Sequence, residues 1–250
     1  MREIVSVIDA SNYEIESELV LEHYAQLLSE CDVGAMTLLI LQTKEMKVTK
    51  WYRMQEIFRN HEVELDFYLC DVFDASSSLY KAANNKRITT CNGSRYLFVD
   101  LPYDDTFSEH LYDYLNTMLQ MNFKPVLLNV EKHSYLINDE SLLKELIDLG
   151  CYISVNYESV DSKYASKILN IHAKGLCHMM FSEFLVNPEK EEEFRFWLTY
   201  SSTQYVADIV LLDNAHCMIE DQELAGISIL TNILKHPTVD SELAEDRWSR

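Results

Sequence analysis

Asn129, Glu131, Lys132 and His133 cluster where the apolar run "PVLLNV" (125 to 130) gives out, bringing an amide, a carboxylate, an ammonium and an imidazole to the end of one strand. Enzymes built as α/β barrels keep their chemistry where strands run out at the C-terminal face. The same logic puts Asp66, Asp100, Asn156 and Glu183 at the ends of other strand candidates. Asp66, Asp100 and Glu183 are three carboxylates on different strands, a donor set suited to a hard cation such as Mg2+ or Mn2+. Lys132 and Glu131 are the candidates for catalysis, with Lys132 able to hold phosphate as a point charge. Imidazole, the usual partner of a catalytic transition metal, is scarce at these ends, His133 excepted. His23, His110 and His172 fall in helical segments and His61 just past one, where they finish surfaces or cores.

Other chemistries are excluded by what is missing. The chain has no G-x-x-x-x-G-K-[ST], G-x-G-x-x-G or G-x-S-x-G, so the common nucleotide cradles and the nucleophile elbow are absent. A cysteine-dependent phosphatase needs an arginine six residues after its thiolate. Cys91 in "CNGSRYL" has Leu97 there, and Arg95 comes two residues too early. The six cysteines, Cys31, Cys70, Cys91, Cys151, Cys177 and Cys217, form no C-x-x-C pair and read as reduced thiols. A net charge of -20, from 41 acidic and 21 basic residues, disfavours nucleic acid and anionic membranes as partners. No segment approaches the roughly 18 to 20 apolar residues needed to span a bilayer, and the N-terminus lacks a secretory h-region, so a cytoplasmic location without membrane insertion is expected.

The elements that must position these residues alternate in type. Strand candidates are 3 to 8, 37 to 42, 64 to 69, 96 to 101, 125 to 130, 152 to 156 and 177 to 182, and helix candidates are 15 to 30, 51 to 60, 74 to 84, 107 to 121, 140 to 149 and 162 to 174. Phe107, Leu111, Tyr114, Leu115, Met118 and Leu119 recur at the three- and four-residue spacing of one buried helix face. Asp139 is the expected N-cap of the next helix and Gly150 its left-handed stop. Strands buried on both faces and joined by crossover helices make a parallel sheet, here a closed or nearly closed barrel, with an open doubly wound sheet as the alternative. Few glycines and prolines and no linker mark a boundary, so residues 1 to 224 read as one domain. Residues 225 to 250 read as a helical, acidic extension with a frayed end.

The stretches "NGSRYLFVDLP", "KPVLLNVEKH", "LLKELIDLGCYISVN", "GLCHMMFSE" and "LLDNAHCMIEDQ" resemble the bacterial tyrosine phosphatases of capsule and exopolysaccharide loci, within the polymerase-and-histidinol-phosphatase (PHP) superfamily. That resemblance implies a distorted seven-stranded (β/α)7 barrel of TIM-like form. It also implies a cluster of manganese-like ions that generates a hydroxide nucleophile, and a tyrosine kinase or its adaptor as partner. On the family's pattern the ligands do not carry over. The opening His-x-His falls on Val5-Ser6-Val7, the glutamates ending the third and fourth strands on Asp66 and Asp100, and the histidine ending the fifth on Asn129. The arginine after it falls on Lys132, and the closing Ser-Asp-x-His on Ser182-Glu183-Phe184-Leu185. With Val5, Val7, Asn129 and Leu185 at histidine positions, no resident cofactor is expected beyond weak Mg2+ or Mn2+ binding.

The remaining acids need an account. Two carboxylates about 5 Å apart at an effective dielectric near 20 repel by roughly 3 kcal/mol, so one is expected to be protonated or paired, with Lys132 as the counter-charge. Three functional readings follow from the sequence. The first is an inactive phosphatase-like protein that binds a kinase tail. The second is a residual enzyme using one Mg2+ or Mn2+ on Asp66, Asp100 and Glu183. The third is a homo-oligomeric assembly subunit, to which the acidic segment "NPEKEEEFRFWLTY" would contribute.

Overall fold

The structure is a computed structural model, and it describes residues 2–9, 18–42, 49–75, 88–102, 107–156, 164–181 and 213–224. Its strands are β1 (Arg2–Asp9), β2 (Val33–Gln42), β3 (Glu64–Asp74), β4 (Tyr96–Asp100), β5 (Lys124–Leu127), β6 (Tyr152–Asn156) and β7 (Met179–Phe181). Every pairing is parallel and the order across the sheet follows the chain from β1 to β7. Strand order never reverses, which excludes the doubly wound alternative with its switch point. The sheet curls so that β1 and β7 approach each other, and among the described residues no ladder joins them.

Besides a single helical turn at Ser134–Ile137, the described helices are α1 (Glu18–Glu30), α2 (Thr49–Asn60), α3 (Glu109–Gln120), α4 (Glu140–Leu149), α5 (Ala165–Ala173) and α6 (Asp213–Ile219). Each buries the stripe that its periodicity dictates. In α1 that stripe is Leu21, Tyr24, Ala25, Leu27 and Leu28, and in α3 it is Leu111, Tyr114, Leu115 and Met118. Buried side chains of this size contribute roughly 1.5 to 3 kcal/mol each, so one stripe is enough to fix a helix on the sheet. In β4 and β6 nearly every residue is buried, as expected for strands between crossover helices and the interior of a curled sheet. Asp139 accepts the Leu142 N–H at 3.0 Å and Gly150 ends α4 at φ 114°, as the sequence requires.

Several expected limits change: β2 begins at Val33 rather than at residue 37, and β5 stops at Leu127 rather than at residue 130. The strand expected to end at residue 69 continues to Asp74, so Asp74 and Ala75 leave the helix expected over 74 to 84, whose remainder lies outside the described residues. The acidic segment 187 to 200 and the extension 225 to 250 also lie outside them.

Candidate functional site

The longer β3 moves the acids. Asp66, expected at the C-terminal rim, is the third residue of β3 and exposed. At about 3.3 Å per residue it lies roughly 25 Å from the strand's end, too far to share a ligand with Asp100. The residue that ends β3 is Asp74, and it is the register partner of Asp100 at the end of β4. Register partners on adjacent parallel strands share a face and lie about 5 Å apart, so Asp74 and Asp100 form the carboxylate pair that had been expected of Asp66 and Asp100. Two bonds hold this corner: the Tyr114 hydroxyl donates to the Asp74 carbonyl at 3.0 Å, and the Ala75 N–H donates to the Asp100 carbonyl at 3.1 Å.

The next strand end is built from a tight turn. Asn129 takes the left-handed conformation, φ 49° and ψ 45°, and its carbonyl accepts the Lys132 N–H at 2.9 Å, closing a single 3-10 turn over Val130–Lys132. Asparagine tolerates this conformation better than most side chains. The turn splits its three ionisable residues. Glu131 is fully buried, and its Oε1 accepts the Asn156 N–H at 3.1 Å, bolting the end of β5 to the end of β6. Lys132 is half-buried.

His133, the residue that follows the turn, is buried. Tyr135 lies with its hydroxyl 3.5 Å from His133 Nδ1 and donates to the Pro102 carbonyl at 3.1 Å, tying the turn to the chain leaving β4. Burial holds the His133 imidazole below its ordinary value and the Lys132 charge adds to this, while the Pro102 carbonyl opposes it. The ring is therefore neutral at pH 7.

A second buried imidazole, His178, escaped the sequence reading because it lay inside a strand candidate. It sits at the opposite end of the sheet, where Nδ1 accepts the Ile153 N–H at 3.1 Å and the ring meets Tyr152 edge-on at 5.1 Å. Burial lowers it to about 4. With Nδ1 taken as acceptor, the proton of the neutral ring is on Nε2.

The rim therefore offers two carboxylates, Asp74 and Asp100, beside the carboxamides of Asn129 and Asn156. Val5 and Val7 lie on β1 opposite Thr37 and Leu39 of β2. Glu183 and Leu185 lie outside the described residues. Among the described residues no three His, Cys, Asp or Glu side chains come together as metal ligands. Carboxamides and aliphatic groups supply no imidazole nitrogen, so the described rim residues alone do not make up a polynuclear transition-metal centre. No helix among the described residues is long and apolar enough to cross a membrane.

Comparison with known proteins places this geometry. Residues 40–186 match the family model for capsular polysaccharide synthesis proteins, CpsB/CapC. Tyrosine-protein phosphatase CpsB of Streptococcus pneumoniae is 27% identical over 119 residues, covering 47% of this chain and 48% of that protein. The putative tyrosine-protein phosphatase CapC of Staphylococcus aureus is 23% identical over 140 residues, covering 52% and 54%. The chain thus spans about half the length of the curated relatives it matches. A crystal structure from work on Bacillus subtilis YwqE and S. pneumoniae CpsB, described there as metal-dependent tyrosine phosphatases, superposes with a TM-score of 0.62. It is 11% identical, over 88% of this chain and 96% of that one. The shared feature is the fold.

Proposed function

Since the chain belongs to the CpsB/CapC family of capsular polysaccharide synthesis proteins, we propose that it acts there as a phosphatase-like binding protein that engages a bacterial tyrosine kinase or its adaptor, through a phosphotyrosine-bearing segment, without hydrolysing it. One observation carries this reading: the strand ends carry Asp74 on β3, Asp100 on β4, Asn129 just past β5 and Asn156 on β6, an oxygen-only set without the imidazole nitrogens of a transition-metal centre. The barrel-like sheet, which we take to close into a distorted seven-stranded barrel, is kept while its chemistry is dismantled. The half-buried Lys132 supplies a point charge for a phosphoryl group. A cytoplasmic location and homo-oligomer formation belong to the same reading.

The adjacent Asp74 and Asp100 favour one alternative, a residual enzyme holding a single Mg2+ or Mn2+. In that version Asp74 replaces Asp66 in the ligand set. The two readings part in one experiment on the purified chain: metal analysis after manganese loading, a phosphatase assay on a tyrosine-phosphorylated peptide, and calorimetry with the same peptide. Binding without turnover is the expected result. Turnover that a chelator abolishes, with stoichiometric metal, would establish the alternative.

A further inference from the structure

The ladder between β3 and β4 begins only at Val72 and Phe98, so the part of β3 before Val72 needs another neighbour on that side. The segment entering β4 supplies it. The Asp71 N–H donates to the Thr89 carbonyl at 2.8 Å, and the Thr89 N–H donates to the Asp71 carboxylate at 2.7 Å. This clamp sets Cys70 of β3 beside Cys91, which opens the 3-10 turn Cys91–Gly93. The two thiols meet as hydrogen-bond neighbours, and Cys70 Sγ also lies 3.7 Å from the Tyr68 carbonyl. Both side chains are buried and both are free thiols. A disulfide between them does not require the backbone to bring distant segments together, because the clamp has already done so.

Reactivity is divided between the two. Burial, and then the Cys91 sulfur, raises Cys70 above the ordinary thiol value, so it rests protonated. Cys91 is followed by Asn92 and Gly93, which are exposed and take left-handed backbone at φ 51° and 74°, and a side chain added at Gly93 would meet open space. Solvent therefore stops one residue from Cys91, and movement of a short turn admits a molecule little larger than water. We propose that Cys70 and Cys91 are a reversible dithiol–disulfide pair, closed by a small hydroperoxide and reopened by thiols, that locks the crossing segment onto β3. The Cys91 sulfur attacks the peroxide O–O bond; one oxygen departs as water with the thiol proton, and the other stays on sulfur as a sulfenic acid. Cys70 then attacks that sulfur, the S–O bond breaks, and the second oxygen leaves as water with the Cys70 proton. Two electrons pass from the thiols to the peroxide. A thiol reductant reverses the step by exchange. The pair lies before the rim on β3, so the proposal stands whether or not the rim hydrolyses phosphate.

The test uses the purified full chain, reduced with dithiothreitol, freed of it and exposed to a small molar excess of hydrogen peroxide. After denaturation and capping with N-ethylmaleimide, trypsin places Cys70 in the peptide 60 to 81 and Cys91 in the peptide 88 to 95, each with a single cysteine. The expected result is these two peptides joined, lighter by two hydrogens than their sum and separated again by dithiothreitol. That linkage should exceed any made through Cys31, Cys151, Cys177 or Cys217. The oxidised chain should melt about 5 °C or more above the reduced chain, because the closed loop restricts the unfolded state. Cys91→Ala should show neither the linkage nor the shift. Should that variant lose its native circular dichroism, the wild-type chain decides alone, because its linkage is read directly by mass. Oxidation of Cys31 and Cys217 with Cys70 and Cys91 left as thiols, sulfinic acid at Cys91 without the linkage, or a linked chain that melts no higher than the reduced one would overturn the proposal.

Discussion

At φ 49° and ψ 45°, Asn129 sits where an L side chain normally costs about 1 kcal/mol or more, and asparagine is among the few residues that visit this region routinely. Its identity is thus explained by the turn as well as by the missing imidazole. Asn129→Gly should leave stability unchanged or slightly raised, whereas Asn129→Val should lower it by about 1 to 2 kcal/mol in urea unfolding. Equal stability of the glycine and valine variants would refute that account. His178 makes a second prediction at this scale. Its folded value is about 4 against an ordinary 6.5, so between those limits the unfolded chain binds the extra proton and the folded chain does not. Its contribution is therefore complete above about pH 6.5 and is lost as pH falls towards 4, amounting to roughly 3 kcal/mol across that window. His133, also lowered, acts in the same direction. His178→Gln keeps an acceptor for the Ile153 N–H but cannot titrate. Unfolding measured at pH 7 and pH 4.5 should show a smaller acid loss in the variant, and equal losses would exclude His178 as a source.

Among the helices, α4 is the one whose limits could be read from sequence residue by residue, because its ends are set by local chemistry: Asp139 accepts the Leu142 N–H and Gly150 turns left-handed. Gly150→Ala should cost about 1 to 2 kcal/mol from backbone strain alone. The added Cβ would also meet Leu119 Cδ2 of α3 at 3.1 Å, so the loss should be larger than for Asp139→Ala, at about 1 kcal/mol. Thermal melts of the two variants in the reverse order would remove the steric part of this argument. The end of β3 was not legible for the opposite reason. Asp71 interrupts the apolar run, which made the strand look finished by residue 69, yet its carboxylate accepts the Thr89 N–H at 2.7 Å and its own N–H donates to the Thr89 carbonyl at 2.8 Å. A tertiary partner eighteen residues away satisfies an acid inside the strand, and no pattern within the strand announces it. The same error placed Asp66 at the rim and overlooked Asp74, whereas the polar cluster 129 to 133 was placed at a strand end by its residue types, although the strand was carried to residue 130 and β5 stops at Leu127.

For the whole molecule, the telling contact joins residues 221 to 223 to the N-terminal ends of the strands. Arg95 Nε meets Asp221 Oδ2 at 2.8 Å, and Lys124 Nζ meets Glu223 Oε1 at 2.6 Å, lies 4.7 Å from the centre of the Tyr96 ring and donates to the Gln222 carbonyl at 3.4 Å. Tyr96 donates to the Gln222 carbonyl and Tyr152 to Glu223, so the segment after α6 covers the first residues of β4, β5 and β6. The two ends of the ion pair are unequally wet: the Lys124 side chain is 9% exposed and that of Glu223 71%. Lys124→Met removes a charge whose partner can be hydrated, and the new side chain still fills the space of the old stem, so a loss of about 1 kcal/mol is expected. Glu223→Gln leaves an ammonium mostly out of water with only carbonyl, hydroxyl and ring contacts, and should cost more, about 2 kcal/mol, although the residue changed is the more exposed one. Adding Lys124→Met to Glu223→Gln should then recover part of that loss, a coupling that urea unfolding of the four proteins measures directly. If Lys124→Met is the costlier change, or the double variant is the sum of the singles, the buried ammonium is not what ties residues 221 to 224 to the sheet, and the aromatic contacts of Tyr96 and Tyr152 hold them instead.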